Sequence, residues 1–539
     1  MAFTVEIKHA GKQHKVEFNP VGDAKAFKES IYQVTGVPTD RMKVMVKGGI
    51  LKDDADLSKL AIKEGQAITV IGTAGPLPQA PAQTIKFVED MDDSDLASVL
   101  KQPPGLTNLG NTCYMNASLQ ALRSIPELKT ALTSHMPNST TSSGGDARLT
   151  TQLRSLFNGM DQTTEAIPPY MFLQTLRTIA PQFAEQSQHG GYAQQDADEM
   201  WTQTVSALHN SLRSPDAGGE SSRGSFVDDY LSADLQQTLT CDEAPEEPKN
   251  VKTDKVLKLD CNININTNYM LTGIKDSFDQ KIEKTSPSLG RTAVYTQTSR
   301  IARLPANLTV HMVRFYWRAD VQKKAKIMRK VKFSMELDVS ELLTDELRER
   351  VRPVNLALKN IDKARIDRAK QRKKRKNNIS RGLAPGGSAG PAESGAAAPS
   401  TNTESAESSE GDAVTATTTD MQVEGGDEEV PEEKMRERER EMVKDLIKAQ
   451  EGAVDKGANQ TGLYELCAIV THKGNSADSG HYIGWTRQPT EENGVPGEED
   501  WWKFDDDKVS VVPVSKIMSL DGGGEDSTAY ILLYRSKVV

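Results

Sequence analysis

Apolar and polar residues alternate through residues 3–8 and again through 12–18, on either side of Ala10-Gly11, so the chain opens with the pattern of a β-hairpin. From Gly22 to Val34 the period changes. Phe27, Ile31 and Val34 fall at i, i+4 and i+7, which predicts a helix, and Gly36 and Pro38 supply its stop. Lys43 to Leu51 then reads as strand, turn and strand, and Ala67 to Ile71 as a further short strand, giving the order ββαβββ over residues 1–73. Residues 74–101 break this regularity: Pro76, Pro78 and Pro81, followed by the acidic run EDMDDSD, predict a flexible linker.

Helical spacing returns in GLTNLGNTCYMNASLQAL, Gly105 to Leu122, where Met115, Leu119 and Leu122 follow a Gly-rich turn and Cys113. Far downstream, SGHYIGW alternates as a strand, and Trp501 to Phe504 reads as a second strand ending at Asp505. Between them, residues 377 to about 430 hold Gly, Ala, Ser, Thr and Glu with almost no large apolar side chain, so they cannot build a core. With the basic run Arg365 to Lys376 before it and the charged stretch Glu432 to Gln450 after it, this predicts a charged, largely disordered insertion at about 365–450, dividing a domain of 102–539. Met435, Met442 and Leu446 offer only a thin apolar helical stripe there.

Composition narrows the function classes. The 66 basic and 76 acidic residues of this 539-residue chain leave a formal net charge of −10, which argues against a protein that coats nucleic acid, so nucleic acid is not an expected partner. No apolar run approaches the ~20 residues of a membrane span, and Glu6 and Lys8 interrupt the apolar positions of the first residues, so no membrane partner is expected either. Four scattered cysteines, Cys113, Cys241, Cys261 and Cys467, do not make a disulfide scaffold and fit a reducing, intracellular compartment.

Candidate chemistry centres on Cys113. At a helix N-terminus the dipole and unpaired amides favour the thiolate, the form that attacks a carbonyl. Asn108, five residues upstream, is placed to donate to a developing oxyanion. His481 in SGHYIGW and Asp505 in WWKFDDDKVS supply a base and its orienter: antiparallel pairing of their strands would set the carboxylate beside the ring and turn the other nitrogen to Cys113. Taken singly, each of these residues is as well read as a buried thiol, a hydrogen-bonded histidine or a solvated acidic turn.

Taken in order, GLTNLGNTCYMNASLQAL, QQDADEMW, SGHYIGW and WWKFDDDKVS resemble the ubiquitin-specific protease family over roughly residues 102–537, and PTDRMKVMVKGGILKDDADLSKL within residues 1–73 resembles ubiquitin. The resemblance implies an α+β chain, a β-grasp ubiquitin-like domain followed by a papain-like domain of thumb, palm and fingers. It makes Cys113 the nucleophile, His481 the general base and acid, Asp505 its orienter, Asn108 an oxyanion donor and Asp506 an auxiliary. Gln195, Asp196, Glu199, Gly480 and Tyr482 become candidates for binding ubiquitin beside its tail channel. Many family members bind zinc through two CxxC pairs; this chain has none, so neither metal nor cofactor is expected.

The N-terminal module, the short linker and the stretch from His311 resemble the proteasome-associated members of the family. In those, this stretch and the loop before the catalytic histidine, here Lys473 to Ser479, can obstruct the tail channel. The resemblance implies partners: ubiquitin, ubiquitinated proteins, and the proteasome regulatory particle, docked through the ubiquitin-like domain with Val44 and Met45 as candidate contacts. It also implies activation on docking, in the cytoplasm and nucleus. The KKRK run ending at Lys376 reads first as part of a solvated linker and second as an import or anion-binding signal.

Overall fold

A computed structural model describes residues 2–47, 49–73, 92–100, 102–135, 144–187, 190–214, 223–318, 323–380, 431–450, 455, 457–476, 479–489, 500–524 and 526–538. The chain separates into two compact units, Met1–Asp90 and Met91–Val539.

In the first unit the alternating segments become strands Phe3–His9 and Lys12–Phe18, paired antiparallel from Phe3↔Phe18 to His9↔Lys12. Strand Ala67–Ile71 runs parallel to the first, and Lys43–Val46 and Gly49–Ile50 complete a five-stranded sheet. Helix Ala24–Thr35 starts where the Asp23 side chain accepts from Lys25 N and stops at Gly36 in the left-handed conformation. Phe27 and Ile31 seal this helix against Val5, Ile7, Val44, Ile68 and Val70. This is the β-grasp expected of the module.

The second unit is a helical layer against sheets, the α+β division into thumb, palm and fingers. Helices Cys113–Arg123, Pro126–Ser134, Gly145–Met160, Tyr170–Ile179 and Ala197–Ser211 form the thumb. The palm sheet runs in the spatial order Lys508–Val512, Trp501–Asp505, Ser479–Arg487, Leu463–Ser476, Thr528–Ser536, Asn307–Val313, Leu259–Asn262. Four strands, Asn250–Val256, Ala233–Cys241, Thr292–Arg303 and Asp279–Thr285, make the fingers. Apolar residues of the Cys113–Arg123 helix share one core with Val470, Tyr482 and Tyr530 of the palm, so this helix is held directly on the strands that complete the site.

Three boundaries differ from the sequence reading. Helix Asp93–Leu100 lies inside the expected linker, with the Asp92 carboxylate accepting from Asp95 N and Ser94 Oγ; residues 74–91 lie outside the described residues. The flanks of the expected disordered insertion are helices, Asp345–Ser380 and Glu432–Lys448, and 381–430 lie outside the described residues. Val443 packs with Val354, Leu358 and Ile361, whereas Met442, part of the expected apolar stripe, is exposed. Arg365 and Arg368 both donate to the buried Glu439 carboxylate, at 2.7 and 2.6 Å, and Arg372 pairs with Glu432. The basic run therefore keeps its helix through counterions on the second helix, a long-range compensation that composition does not reveal. Finally, the segment expected as a loop at Lys473 to Ser479 continues strand pairing through Lys473↔His481 and Ser476↔Ser479, with 477–478 outside the described residues.

Candidate active site

The loop before Cys113 is folded around Asn108. Its Oδ1 accepts from Gly110 N at 2.9 Å, Thr112 N at 3.2 Å and Thr112 Oγ1 at 3.3 Å, which closes the turn that launches the helix. Gly105 has no room for a side chain: a Cβ there would sit 2.4 Å from Asp507 O. That close approach brings the launching loop against the DDD turn, and Leu106 N donates to Asp506 O at 3.0 Å. Cys113 is the first residue of helix Cys113–Arg123, where backbone N–H groups have no partner within the helix.

The palm brings the other members. Strands Ser479–Arg487 and Trp501–Asp505 pair antiparallel with Gly484 opposite Phe504, and His481 Nε2 lies 2.6 Å from Asp505 Oδ1. Tyr482 N donates to Cys113 Sγ at 3.5 Å, so the residue after His481 touches the thiol through its backbone. The hydrogen bond to Cys113, aided by Asp505 and opposed by burial, pushes His481 up to about 9. With Nε2 committed to Asp505, Nδ1 is the ring nitrogen left for the sulfur. Burial alone would raise Asp505, but Lys503, 2.9 Å away, and His481 together hold it below the usual carboxylate range. Such a pairing keeps a cationic ring beside a nucleophilic sulfur.

Asp506 ties both halves of the site together. One oxygen accepts from Asn108 Nδ2 and the other from Asn116 Nδ2, each at 2.8 Å. Asn108 thus spends one of its two amide hydrogens on Asp506, which leaves it a second. Asn116 and Lys503 escaped the sequence reading. Their signals were local: Asn116 is one helical turn from Cys113, and Lys503 shares the face of Asp505 two residues along the same strand.

The five candidates for binding ubiquitin divide. Gln195, Asp196, Glu199 and Gly480 line one cleft of about 720 Å³ together with Asn111 and Glu185. Its three carboxylates suit a basic segment. Asp196 has a structural task as well: it caps helix Ala197–Ser211 through Asp198 N and accepts from Tyr530 OH at 2.7 Å, and burial holds its carboxyl above the usual range. Tyr482 is a correction. Its side chain is 1% exposed, packed against His472 and Tyr530, so only its backbone reaches the site. In the first unit, Val44 is likewise a core residue with no exposure, while Met45 is 42% exposed. Alternation made one of the two inward-facing, and the helix Ala24–Thr35 decided which.

Cys241, Cys261 and Cys467 are buried and free. Among the described residues no group of three or more His, Cys, Asp or Glu is arranged to hold a metal ion, and no helix is long and apolar enough to cross a membrane.

Residues 104–534 match the family model described as "Ubiquitin carboxyl-terminal hydrolase", and residues 3–75 match that of the "Ubiquitin family". The sequence is 39% identical to "Ubiquitin carboxyl-terminal hydrolase 6" of Schizosaccharomyces pombe, covering 100% of this chain and 99% of that one. It is 36% identical to "Ubiquitin carboxyl-terminal hydrolase 6" of Arabidopsis thaliana, over 95% and 94% of the two chains. It is 28% identical to "Ubiquitin carboxyl-terminal hydrolase 14" of Caenorhabditis elegans, over 99% and 94%.

Proposed function

The chain belongs to the ubiquitin carboxyl-terminal hydrolase family and is a thiol-dependent deubiquitinating peptidase; on that premise we propose that it cleaves the isopeptide bond after ubiquitin's terminal glycine on proteasome-bound substrates, and that docking on the proteasome regulatory particle activates it. The observation that carries the chemistry is the His481 ring held between Cys113 and Asp505. The Cys113 thiolate attacks the glycine carbonyl, the helix N-terminal amides and Asn108 donate to the oxyanion, and His481 passes its proton to the leaving lysine amine. Water, deprotonated by His481, then releases ubiquitin from the acyl-enzyme and restores the thiol.

Magnitudes divide the labour. An unperturbed thiol is a few per cent ionised at pH 7, so full ionisation gains only about 30-fold. An oxyanion donor contributes ~10²-fold to 10³-fold, and positioning of the carbonyl can exceed both. The acidic cleft beside Gly480 supports the assignment of positioning to ubiquitin's basic tail, with Asp196 and Glu199 facing its arginines.

For docking, sheet register supports a patch of exposed apolar side chains. Met45 pairs with Ile50, and Lys43, two residues along the same face, pairs with Ile71; Met45, Ile50 and Ile71 are 42%, 50% and 55% exposed. This replaces Val44 by Ile50 and Ile71 as the companions of Met45. Free thiols at all four cysteines accord with a cytoplasmic and nuclear enzyme.

The test is hydrolysis of a ubiquitin C-terminal amide by wild type, Cys113→Ala and Met45→Asp, each with and without proteasomes. Cys113→Ala should be inactive throughout. Met45→Asp should keep the basal rate and lose the stimulation. Stimulation equal to wild type in Met45→Asp would remove docking through this patch, and turnover by Cys113→Ala would remove the mechanism.

A further inference from the structure

At the acidic cleft, two donors hold the Asp196 carboxylate and both converge on one oxygen. Asp198 N donates to Oδ1 at 2.8 Å, and Tyr530 OH donates to the same Oδ1 at 2.7 Å. Oδ2 makes no hydrogen bond or ion pair among the described residues. Asp196 lines the cleft and Tyr530 does not, so the phenol reaches the carboxylate from the protein side. One oxygen is therefore already fixed, and the other is left to accept from a ligand.

Tyr530 is built to hold that direction. It lies on strand Thr528–Ser536, which pairs in the palm sheet between Leu463–Ser476 and Asn307–Val313, and the residue is 2% exposed. His311 and Phe315 meet its ring edge to face, each with centroids 5.1 Å away. A phenylalanine would fill the same space, so what the hydroxyl adds is the bond to Asp196.

The charges agree with this role. Burial, with Asp196 beside it, pushes the Tyr530 phenol well above its ordinary value, so it remains a donor. Burial also pushes Asp196 up, and the Tyr530 hydroxyl is the largest influence that pulls the carboxyl back. Asp198 on the same helix opposes ionisation, while His311 on strand Asn307–Val313 favours it. Lys258 is committed to Asp198, burial keeps the Tyr482 phenol neutral, and Glu185 and Glu199 share the cleft. An arginine pairs bidentately with a carboxylate and not with a carboxylic acid, so the ionised form is the useful one.

We propose that Tyr530 is a positioning residue for ubiquitin: its hydroxyl fixes Asp196 by Oδ1, so that Oδ2 is left for an arginine of the ubiquitin tail. This role rests on the reading of the acidic cleft as the channel for that tail.

Hydrolysis of a ubiquitin C-terminal amide by wild type, Tyr530→Phe, Asp196→Asn and the double variant tests it, with alkylation of Cys113 by iodoacetamide as a readout that needs no ubiquitin. Tyr530→Phe should raise KM about tenfold, the effect of losing one hydrogen bond to a charged group, with kcat within about twofold of wild type. Relative to wild type the penalty should grow as pH falls from about 8 to about 5, because a carboxyl raised further gives up its charge at a higher pH. Asp196→Asn should raise KM at least as much, the double variant should match it, and alkylation should proceed at the wild-type rate throughout. A wild-type KM in Asp196→Asn overturns the reading of the cleft on which the role rests. A raised KM there with a wild-type KM in Tyr530→Phe overturns the role of Tyr530 alone. Penalties that multiply in the double variant, or slowed alkylation in Tyr530→Phe, would show a general structural effect and overturn it too.

Discussion

Replacing Asp505 with asparagine leaves an acceptor beside the His481 ring and removes the charge, so it isolates the electrostatic share of that contact. His481 sits at about 9 against an ordinary 6.5. That gap of about 2.5 pH units corresponds to ~3.4 kcal/mol at 1.36 kcal/mol per unit. Two discounts apply. The ring is 35% exposed, so water screens part of the interaction, and the hydrogen bond to Cys113 is the leading contribution, ahead of Asp505. About one pH unit, or ~1.4 kcal/mol, is left for Asp505.

The raised value fixes the sign. A protonated ring contributes stability that is fully present below about 6.5 and is lost as pH rises through about 9. The attacking pair needs the same protonated ring, so hydrolysis should fall along an alkaline limb near 9 in the wild type. In Asp505→Asn that limb should move down by about one pH unit, and kcat/KM at neutral pH should drop by at least tenfold. Asp506 cannot take over without surrendering Asn108 and Asn116, each held at 2.8 Å. The assay is hydrolysis of a ubiquitin C-terminal amide from pH 5 to about 10, a span bracketing the histidine range, with thermal melts in the same buffers. An alkaline limb that stays where it is in the wild type would refute the assignment of charge support to Asp505.

Other outcomes follow from the geometry. Gly480→Ala should lower kcat/KM by ~100-fold, because Gly480 has φ +135° and a Cβ would meet Lys473 O at 2.3 Å and His472 Nε2 at 2.6 Å, displacing the neighbouring His481; wild-type rates would contradict this. Asp506→Ala releases both asparagines and should cost kcat ~10²-fold with little change in KM, and a rise in KM alone would take Asn108 out of the transition state. Glu439→Gln, which strips the counterion of Arg365 and Arg368, should weaken the packing of helices Asp345–Ser380 and Glu432–Lys448 by about 1–3 kcal/mol, read as faster amide exchange there with unchanged hydrolysis. Val44→Ala should destabilise the first unit by about 2 kcal/mol and Met45→Ala by less than ~0.5 kcal/mol, a contrast that urea unfolding resolves.

The residues near Cys113 were legible because their signals are local. A Gly-rich turn, a cysteine and a helical period lie within eighteen consecutive positions, Gly105 to Leu122, and alternation around His481 names a strand without help from any other segment. The same holds for helix Ala24–Thr35, bounded by Asp23 and Gly36. Val44 and Met45 mark the limit of that logic. Period two states that neighbouring side chains face opposite ways, but only the helix packed on one side of the sheet makes Val44 the buried one. Tyr482 was misplaced for the same reason: its strand belongs to the palm sheet on which the Cys113–Arg123 helix packs, so the side chain that alternates away from His481 enters the core they share.

Charge compensation was still less visible. The run from Arg365 to Lys376 has only Ile366 and Ala369 as apolar residues and reads as solvated, yet Arg368 finds Glu439 at a separation of 71 positions and the segment stays helical. Asp506 joins Asn108 across 398 positions, and Tyr482 N reaches Cys113 across 369. Periodicity, turns and caps are properties of a few adjacent residues, so the chain determines them by itself. Which face is buried, which charge is neutralised and which imidazole meets the thiol depend on surfaces brought together by folding, and those only the tertiary structure decided.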